Sequence, residues 1–357
     1  MRPGDARRFR TANLVLLLCG CFGVCELAAK DQGPSQFLDK PTSWFAGAEA
    51  KHIGDNILSH QSDLGGWPKH VETTAPRIES ANVRPTFDNG ATTGELRYLA
   101  HVYNATHDER YRRSVERGLD YILRAQYPNG GWPQRFPPGE TYHRRITFND
   151  NAMVRLLELM REVANADEYA FVDADRRAAS RRAFDRGIDC ILACQIKTDG
   201  KLTAWCAQHD EIDFQPRPAR TYELASLSGA ESVEIVRLLM SLDDPGPAVV
   251  QAIEAAVRWF EAVKLTGIRQ VQQVDARAPR GQNKVLIRDD AAPPLWARFY
   301  EIGTNRPIFV DRDGVAKYDL AEIGYERRNG YSWLNDRPQR LLEEVYPKWR
   351  SQRKSVH

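Results

Sequence analysis

Two stretches of the chain carry the same pattern of polar and apolar positions. Residues 86–103 read TFDNGATTGELRYLAHVY and residues 147–164 read TFNDNAMVRLLELMREVA. At an offset of 61, Thr-Phe matches Thr-Phe, Asp-Asn-Gly faces Asn-Asp-Asn, Leu96 meets Leu157 and Leu99 meets Met160. In each, a short polar mouth feeds apolar positions three and four apart, the spacing of a helix with one buried face. A second repeat runs alongside. Residues 57–68 (ILSHQSDLGGWP) return at 122–133 (ILRAQYPNGGWP), and more loosely at 191–205 (ILACQIKTDGKLTAW). Each copy has a helix end, a Gln, a Gly turn and a Trp. The unit is therefore mouth, helix, turn, helix and Gly-Trp loop, and its recurrence about every 65 residues predicts stacked helical hairpins.

The spacing predicts helices over 48–61, 90–103, 110–125, 229–242, 248–264 and 337–349. Short strands are expected at 270–274 and 308–310. Counting the odd units gives seven or eight helices in a mainly α chain. Hairpins of this kind form an α/α toroid, or partial barrel, with few short strands, long loops and a pocket at the end where the mouths lie. No linker long enough to separate two domains is present, so 30–357 is expected to be a single domain.

Residues 1–29 stand apart. Arg2, Arg7, Arg8 and Arg10 precede the short apolar run LVLLLCGCFGV, the form of an export signal. Leu18-Cys19-Gly20-Cys21 also has the form of a lipoprotein signal, with Cys21 as the anchor. The product is expected to be periplasmic, an outer-membrane lipoprotein or secreted. Beyond the signal, no apolar run approaches the ~20 residues of a membrane span. A net charge of +2 gives no global attraction for nucleic acid. Three cysteines remain, Cys190, Cys194 and Cys206, an odd number that makes no disulfide framework. Buried thiols are the simpler reading, beside a single Cys194–Cys206 bond or a weak zinc set with His209.

The mouths are where chemistry is expected. Asp88 and Asn89 stand at one, Asn149 and Asp150 at the other. Asp and Asn before a helix are ordinarily caps that accept from its unpaired N–H groups. One cap needs one such residue, however, and each mouth has at least two. Arg220 is expected at the third mouth, or else in an ion pair with Glu223 or Asp210. Two acidic mouths and a basic one suit an anionic substrate held through a hard cation, and oxygen ligands favour Ca²⁺ or Mg²⁺. Arg298 and Arg306 lie among aromatics at 295–309, either as forks for carboxylates or as cation–π partners. Trp67 and Trp132 read as packing anchors before sugar platforms, and His209 as structural.

These stretches together resemble the family 10 polysaccharide lyases, pectate lyases with a helical toroid-like fold. The matching residues are 65–69 (GGWPK), 86–94, 130–134, 147–152, 204–210, 219–223, 227–232 (LSGAES) and 295–309. The resemblance implies calcium-dependent β-elimination of α-1,4-linked polygalacturonate, giving 4,5-unsaturated products. It implies that Asp88 and Asp150 hold Ca²⁺ or the substrate carboxylate, Asp150 counting also as catalytic, with Asn89 as a neighbouring ligand that contacts substrate. It places the family's base, an arginine, on Arg220, and substrate binding on Arg298 and Arg306. The enzyme is expected to act as a monomer, without nucleic acid. Two other readings stay open here: a non-catalytic uronate-binding protein, and an α/α-barrel enzyme like the terpenoid cyclases, whose QW repeat the Gln-Gly-Trp pattern also resembles.

Overall fold

The computed structural model describes residues 33–78 and 84–354. The expected export signal and the Cys21 anchor lie outside the described residues. The hairpin pattern is carried by α1 (Ala48–His60), α2 (Thr93–Thr106), α3 (Glu109–Ala125), α4 (Ala152–Asn165), α5 (Ala174–Cys194), α6 (Glu231–Met240) and α7 (Pro247–Ala262). Their apolar faces follow the helical period: α3 buries Tyr111, Val115, Leu119 and Ile122. Asp108 and Asp173 cap α3 and α5 by accepting from Arg110 N and Arg176 N.

Within each unit the two helices pack together, α2 on α3, α4 on α5 and α6 on α7. Across units, α1, α3, α5 and α7 form one arc and α2, α4 and α6 another. This is the α/α toroid that the repeat predicts, open rather than closed into a barrel.

The repeated Gln, Gly and Trp hold neighbouring units together. Gln61 donates to Gly65 O and to Ser114 O of α3, at 2.7 and 2.9 Å. Gln126 does the same to Gly130 O and to Ala183 O of α5, and Gln195 to Thr203 O and to Ala252 O of α7. Trp67, Trp132 and Trp205 are fully buried, and their indole Nε1 atoms donate to Ile57 O, Ile122 O and Ile191 O. They are packing anchors. The first glycine of each Gly-Gly-Trp turn has a left-handed backbone, with φ of +108° at Gly65 and +90° at Gly130. A Cβ there would sit 2.4 Å from Arg117 O or 2.1 Å from Arg186 O. Any other residue would push the units apart.

Two expectations are corrected. Helix α2 begins at Thr93, not at 90, because Asn89, Gly90 and Thr92 all have positive φ and cannot continue a right-handed helix. The strand expected at 270–274 is half of a longer antiparallel ribbon, Ile268–Val274 with Gln282–Arg288. This ribbon separates α7 from Trp296, whose Nε1 donates to Phe260 O at 2.8 Å. Trp296 is thus a fourth brace of the same kind.

Cys190, Cys194 and Cys206 are buried free thiols, with no Cys194–Cys206 bond. Burial pushes the Cys194 and Cys206 thiols up. His209 is buried and accepts from Cys206 N at 3.0 Å through Nε2, which leaves Nδ1 to donate to Phe214 O at 2.8 Å. Both ring nitrogens are used, so His209 is structural and no zinc set forms around it.

Candidate active site

The polar mouths do not cap their helices. Neither α2 nor α4 has a side-chain cap. Instead each mouth is one tight turn with a left-handed residue at the same position: Asn89 at φ 53°, ψ 33° and Asp150 at φ 51°, ψ 29°. Asn and Asp are the residues that tolerate this conformation best after glycine. Asn89 therefore corresponds to Asp150, and Asp88 to Asn149. All four line one cleft with Lys69, Gln134, Gln208, Arg220 and Glu223.

The third copy keeps the backbone bond that fixes each mouth but not the left-handed turn: Ala230 is right-handed and α6 begins directly at Glu231. Thr86 N donates to Trp67 O at 3.0 Å, Thr147 N to Trp132 O at 3.1 Å and Ser228 N to Trp205 O at 2.7 Å. Counting from these bonds, Glu231 stands where Asn89 and Asp150 stand. Arg220, expected at this mouth, comes instead from the preceding loop, though it still faces the cleft.

Oxygen dominates the floor. Asp88 is buried; its Oδ2 pairs with Lys69, and its Oδ1 has no hydrogen-bond partner among the described residues. Gln134 Oε1, Gln208 Oε1 and Asn151 Oδ1 are likewise buried without a donor. Asp150 accepts from Asn149 Nδ2 at 2.6 Å. Burial, and then the Glu231 and Asp88 carboxylates, hold its carboxyl above the usual range, although Arg298 opposes them. Buried oxygens without donors are costly unless something supplies positive charge. Among the described residues no three His, Cys, Asp or Glu side chains gather closely enough to hold a metal alone. Asp88 and Asp150 would need the amide oxygens or the substrate to complete a shell. That all-oxygen, acidic set suits a hard divalent cation such as Ca²⁺.

Arginines face this floor. Partly buried Arg298 pairs with Glu231, donates to Asn149 Oδ1 at 3.1 Å and lies 3.5 Å from Asp150 Oδ1. Burial works against its charge, but Glu231, Tyr331 and Asp150 outweigh it and keep the guanidinium firmly protonated. Arg220 Nε donates to Glu223 Oε2 at 2.7 Å, and its Nη2 pairs with Glu223 Oε1. The pair raises the Arg220 pKa further and, against burial, lowers that of Glu223. Tyr331 OH also donates to Glu223, at 2.7 Å.

A family model described as pectic acid lyase matches residues 61–342. A family 10 polysaccharide lyase from Cellvibrio cellulosa superposes with a TM-score of 0.76 at 33% identity, over 89% of this chain and 97% of that one. An aspartate-to-alanine mutant of a family 10 lyase from the same organism, in complex with trigalacturonic acid, gives a TM-score of 0.75 at 32% identity, over 90% of this chain and 98% of that one. No curated protein matches the chain.

The chain belongs to the family 10 polysaccharide lyases.

The lyase is an enzyme of pectate breakdown, and the cyclase-like and non-catalytic readings are set aside. Of the residues singled out in the sequence, its cleft gathers Asp88, Asn89, Asp150 and Arg220, with Arg298 bonded beneath Asp150. Arg306 does not join them. It is exposed and stacks on Tyr318, 3.5 Å from the ring centroid, while Tyr318 OH donates to Glu301. Other residues went unnoticed. Lys69 and Glu231 lay inside quoted motifs, and Glu231 could have been found by extending the Trp-to-mouth spacing to the third copy. Arg312 and Arg327 gave no such signal. They approach the Tyr222 ring at 6.0 and 4.5 Å, the ring that Arg220 covers at 5.1 Å.

Proposed function

We propose that the lyase cleaves α-1,4-linked polygalacturonate by calcium-dependent β-elimination and releases 4,5-unsaturated oligogalacturonides. The observation that carries this reading is the set of buried, donor-less oxygens around Asp88 and Asp150, with Arg220 in the same cleft and Arg298 paired to Asp150. The trigalacturonic acid bound by a Cellvibrio relative supports the choice of substrate.

Asp88, Asp150 and Asn89 are the residues that would hold Ca²⁺. When bound, the ion screens the acidic floor and draws charge from the uronate carboxylate, which makes the C5 proton more acidic. Asp150 is catalytic through this role. Arg298, protonated and paired with Glu231, orients Asn149 and Asp150 and lends positive charge where negative charge builds in the transition state. Arg220 accepts the C5 proton. The C5–H electron pair becomes the C4=C5 double bond, the C4–O bond breaks, and the leaving oxygen is protonated by water.

An arginine is a difficult base because its pKa exceeds ~12. In the resting cleft the Glu223 pair makes it more so. Arg220 must first leave Glu223, and Tyr331 OH remains to satisfy that carboxylate. Burial is the one influence that favours proton loss from Arg220, since Arg312 and Arg327, which approach the same Tyr222 ring, are each paired with Glu326. Activity should accordingly rise into the alkaline range.

The test is ultraviolet absorbance of unsaturated product from polygalacturonate. Product should appear with Ca²⁺ and vanish with EGTA, and full activity in excess chelator would sink the calcium role. Export rests on the N-terminal pattern alone. Mass spectrometry of the mature protein should show loss of ~20–29 residues, and an intact Met1 in the native host would refute it.

A further inference from the structure

The enclosed part of the cleft measures about 120 Å³. That is well below the ~300–1,000 Å³ of a site that swallows a drug-sized ligand, so a polymer must run out over the cleft's flanks. One flank carries Arg220, Tyr222 and Arg312. The other is formed by the turn after Trp67 and by the loop before the strand Ile146–Thr147.

This second flank has the chemistry of a uronate site. Lys69, His70 and Tyr142 line it beside Asp88. Tyr142 lies almost flat on His143, with centroids 4.1 Å apart and planes 22° apart. Burial, then the nearby Arg135 and Lys69, push His143 down to about 4, so the stack is uncharged at neutral pH. Arg135 makes one long hydrogen bond, 3.5 Å to Pro138 O, and no ion pair among the described residues. A guanidinium without a carboxylate, beside a flat aromatic face, suits a sugar acid: the ring's C–H face on Tyr142 and its carboxylate on the Arg135 fork. Lys69 is shared. Its side chain is 35% exposed, and its flexible four-carbon stem lets it leave Asp88 for a substrate carboxylate.

We propose that Arg135, Lys69 and the Tyr142–His143 stack form a second uronate-binding subsite, which holds the polygalacturonate chain on the Asp88 side of the reacting sugar. This rests on the pectate reading above. It makes the lyase an enzyme that gains from long substrates, because a hexamer that spans the reacting centre reaches this flank in more registers than a trimer does.

The experiment compares kcat/KM on hexagalacturonate and trigalacturonate for the wild type, Arg135→Gln, Arg135→Lys and Tyr142→Ala. The wild type should prefer the hexamer. Arg135→Gln should lower that preference about tenfold, the size of one hydrogen bond to a charged group, with the loss falling on KM rather than kcat. Arg135→Lys should restore part of it, and Tyr142→Ala should lower it several-fold. A merely structural role would weaken both substrates alike. If the preference stays within about twofold of wild type in both Arg135→Gln and Tyr142→Ala, the subsite is overturned. An active wild type with that result overturns the subsite alone; a wild type that makes no unsaturated product overturns the lyase mechanism as well.

Discussion

Asp88–Asn89 and Asn149–Asp150 line the cleft from equivalent turns of two helical units, and Glu231 opens α6 at the same offset in a third; each segment is fixed by the same backbone bond to a buried tryptophan. Arg220 reaches it from a loop that belongs to no unit, and Arg312 approaches the Tyr222 ring that Arg220 covers; the two are held by exchangeable ion pairs with Glu223 and Glu326. Arg298 lies between the two, on a loop residue but locked to Glu231. The acidic side is thus part of the scaffold, whereas the basic side is a set of long side chains with alternative partners. A cation site needs fixed oxygens. A residue that must approach substrate and exchange a proton needs freedom to change partners.

The comparison breaks most visibly at Arg220. Arg220→Ala should lower kcat on polygalacturonate by about 10²–10⁴-fold, the usual contribution of a general base, with the fold intact by circular dichroism. Arg220→Lys should not rescue, because an ammonium lacks the planar fork and its reach. A folded Arg220→Ala within about tenfold of wild type would leave Arg220 as the ion-pair partner of Glu223 only.

Damage to the scaffold should be read in stability. Trp132→Ala or Trp205→Ala deletes a fully buried indole and its hydrogen bond to the preceding helix. Each should cost ~3–5 kcal/mol in denaturant unfolding, as large-to-small core changes do. A cost below ~1 kcal/mol would deny these residues their bracing role.

His209 ties the scaffold's stability to pH. Burial lowers its pKa from 6.5 to about 4. Between those values the unfolded chain binds the proton and the folded chain does not, so stability falls as pH drops from 6.5 toward 4. The loss is on the order of 3 kcal/mol, one pKa unit being ~1.4 kcal/mol. His209→Gln should lose the His209 share of this slope and keep that of His143, whose pKa burial also lowers to about 4. Melting temperatures across that range check it, and an unchanged slope would assign the effect to other groups.

The smallest effect is expected at Arg306. Because it stacks on Tyr318 away from the cleft, Arg306→Ala should change kcat/KM by less than about threefold. A loss like that of Arg220→Ala would return it to the substrate site.

The same division explains what could be read from the sequence. The hairpins were legible because Gln, Gly, Trp and the Thr-Phe mouths recur at nearly constant spacing, and each recurrence answers a packing demand, such as the missing Cβ at Gly65 and Gly130. Asp88, Asn89 and Asp150 were legible because their mouths hold more polar residues than caps require. Glu231 was obscured because the third copy replaces Phe with Gly229 and Asp or Asn with Ala230. The ribbon Ile268–Arg288 hid Trp296 in the same way. Loop arginines follow no period. Arg306 and Arg312 look alike in the sequence, and only the folded positions of Tyr222 and Tyr318 separate them.

The most direct test of this account is the rate of unsaturated-product formation on polygalacturonate across a calcium series, with Asp150→Ala and Arg220→Ala assayed beside the wild type. If the acidic turns hold a cation and the loop arginine moves the proton, Asp150→Ala should start low and recover in part as Ca²⁺ rises, while Arg220→Ala should stay flat at every concentration. Recovery of Arg220→Ala by Ca²⁺, or an Asp150→Ala curve that overlies the wild type at low Ca²⁺, would contradict that division.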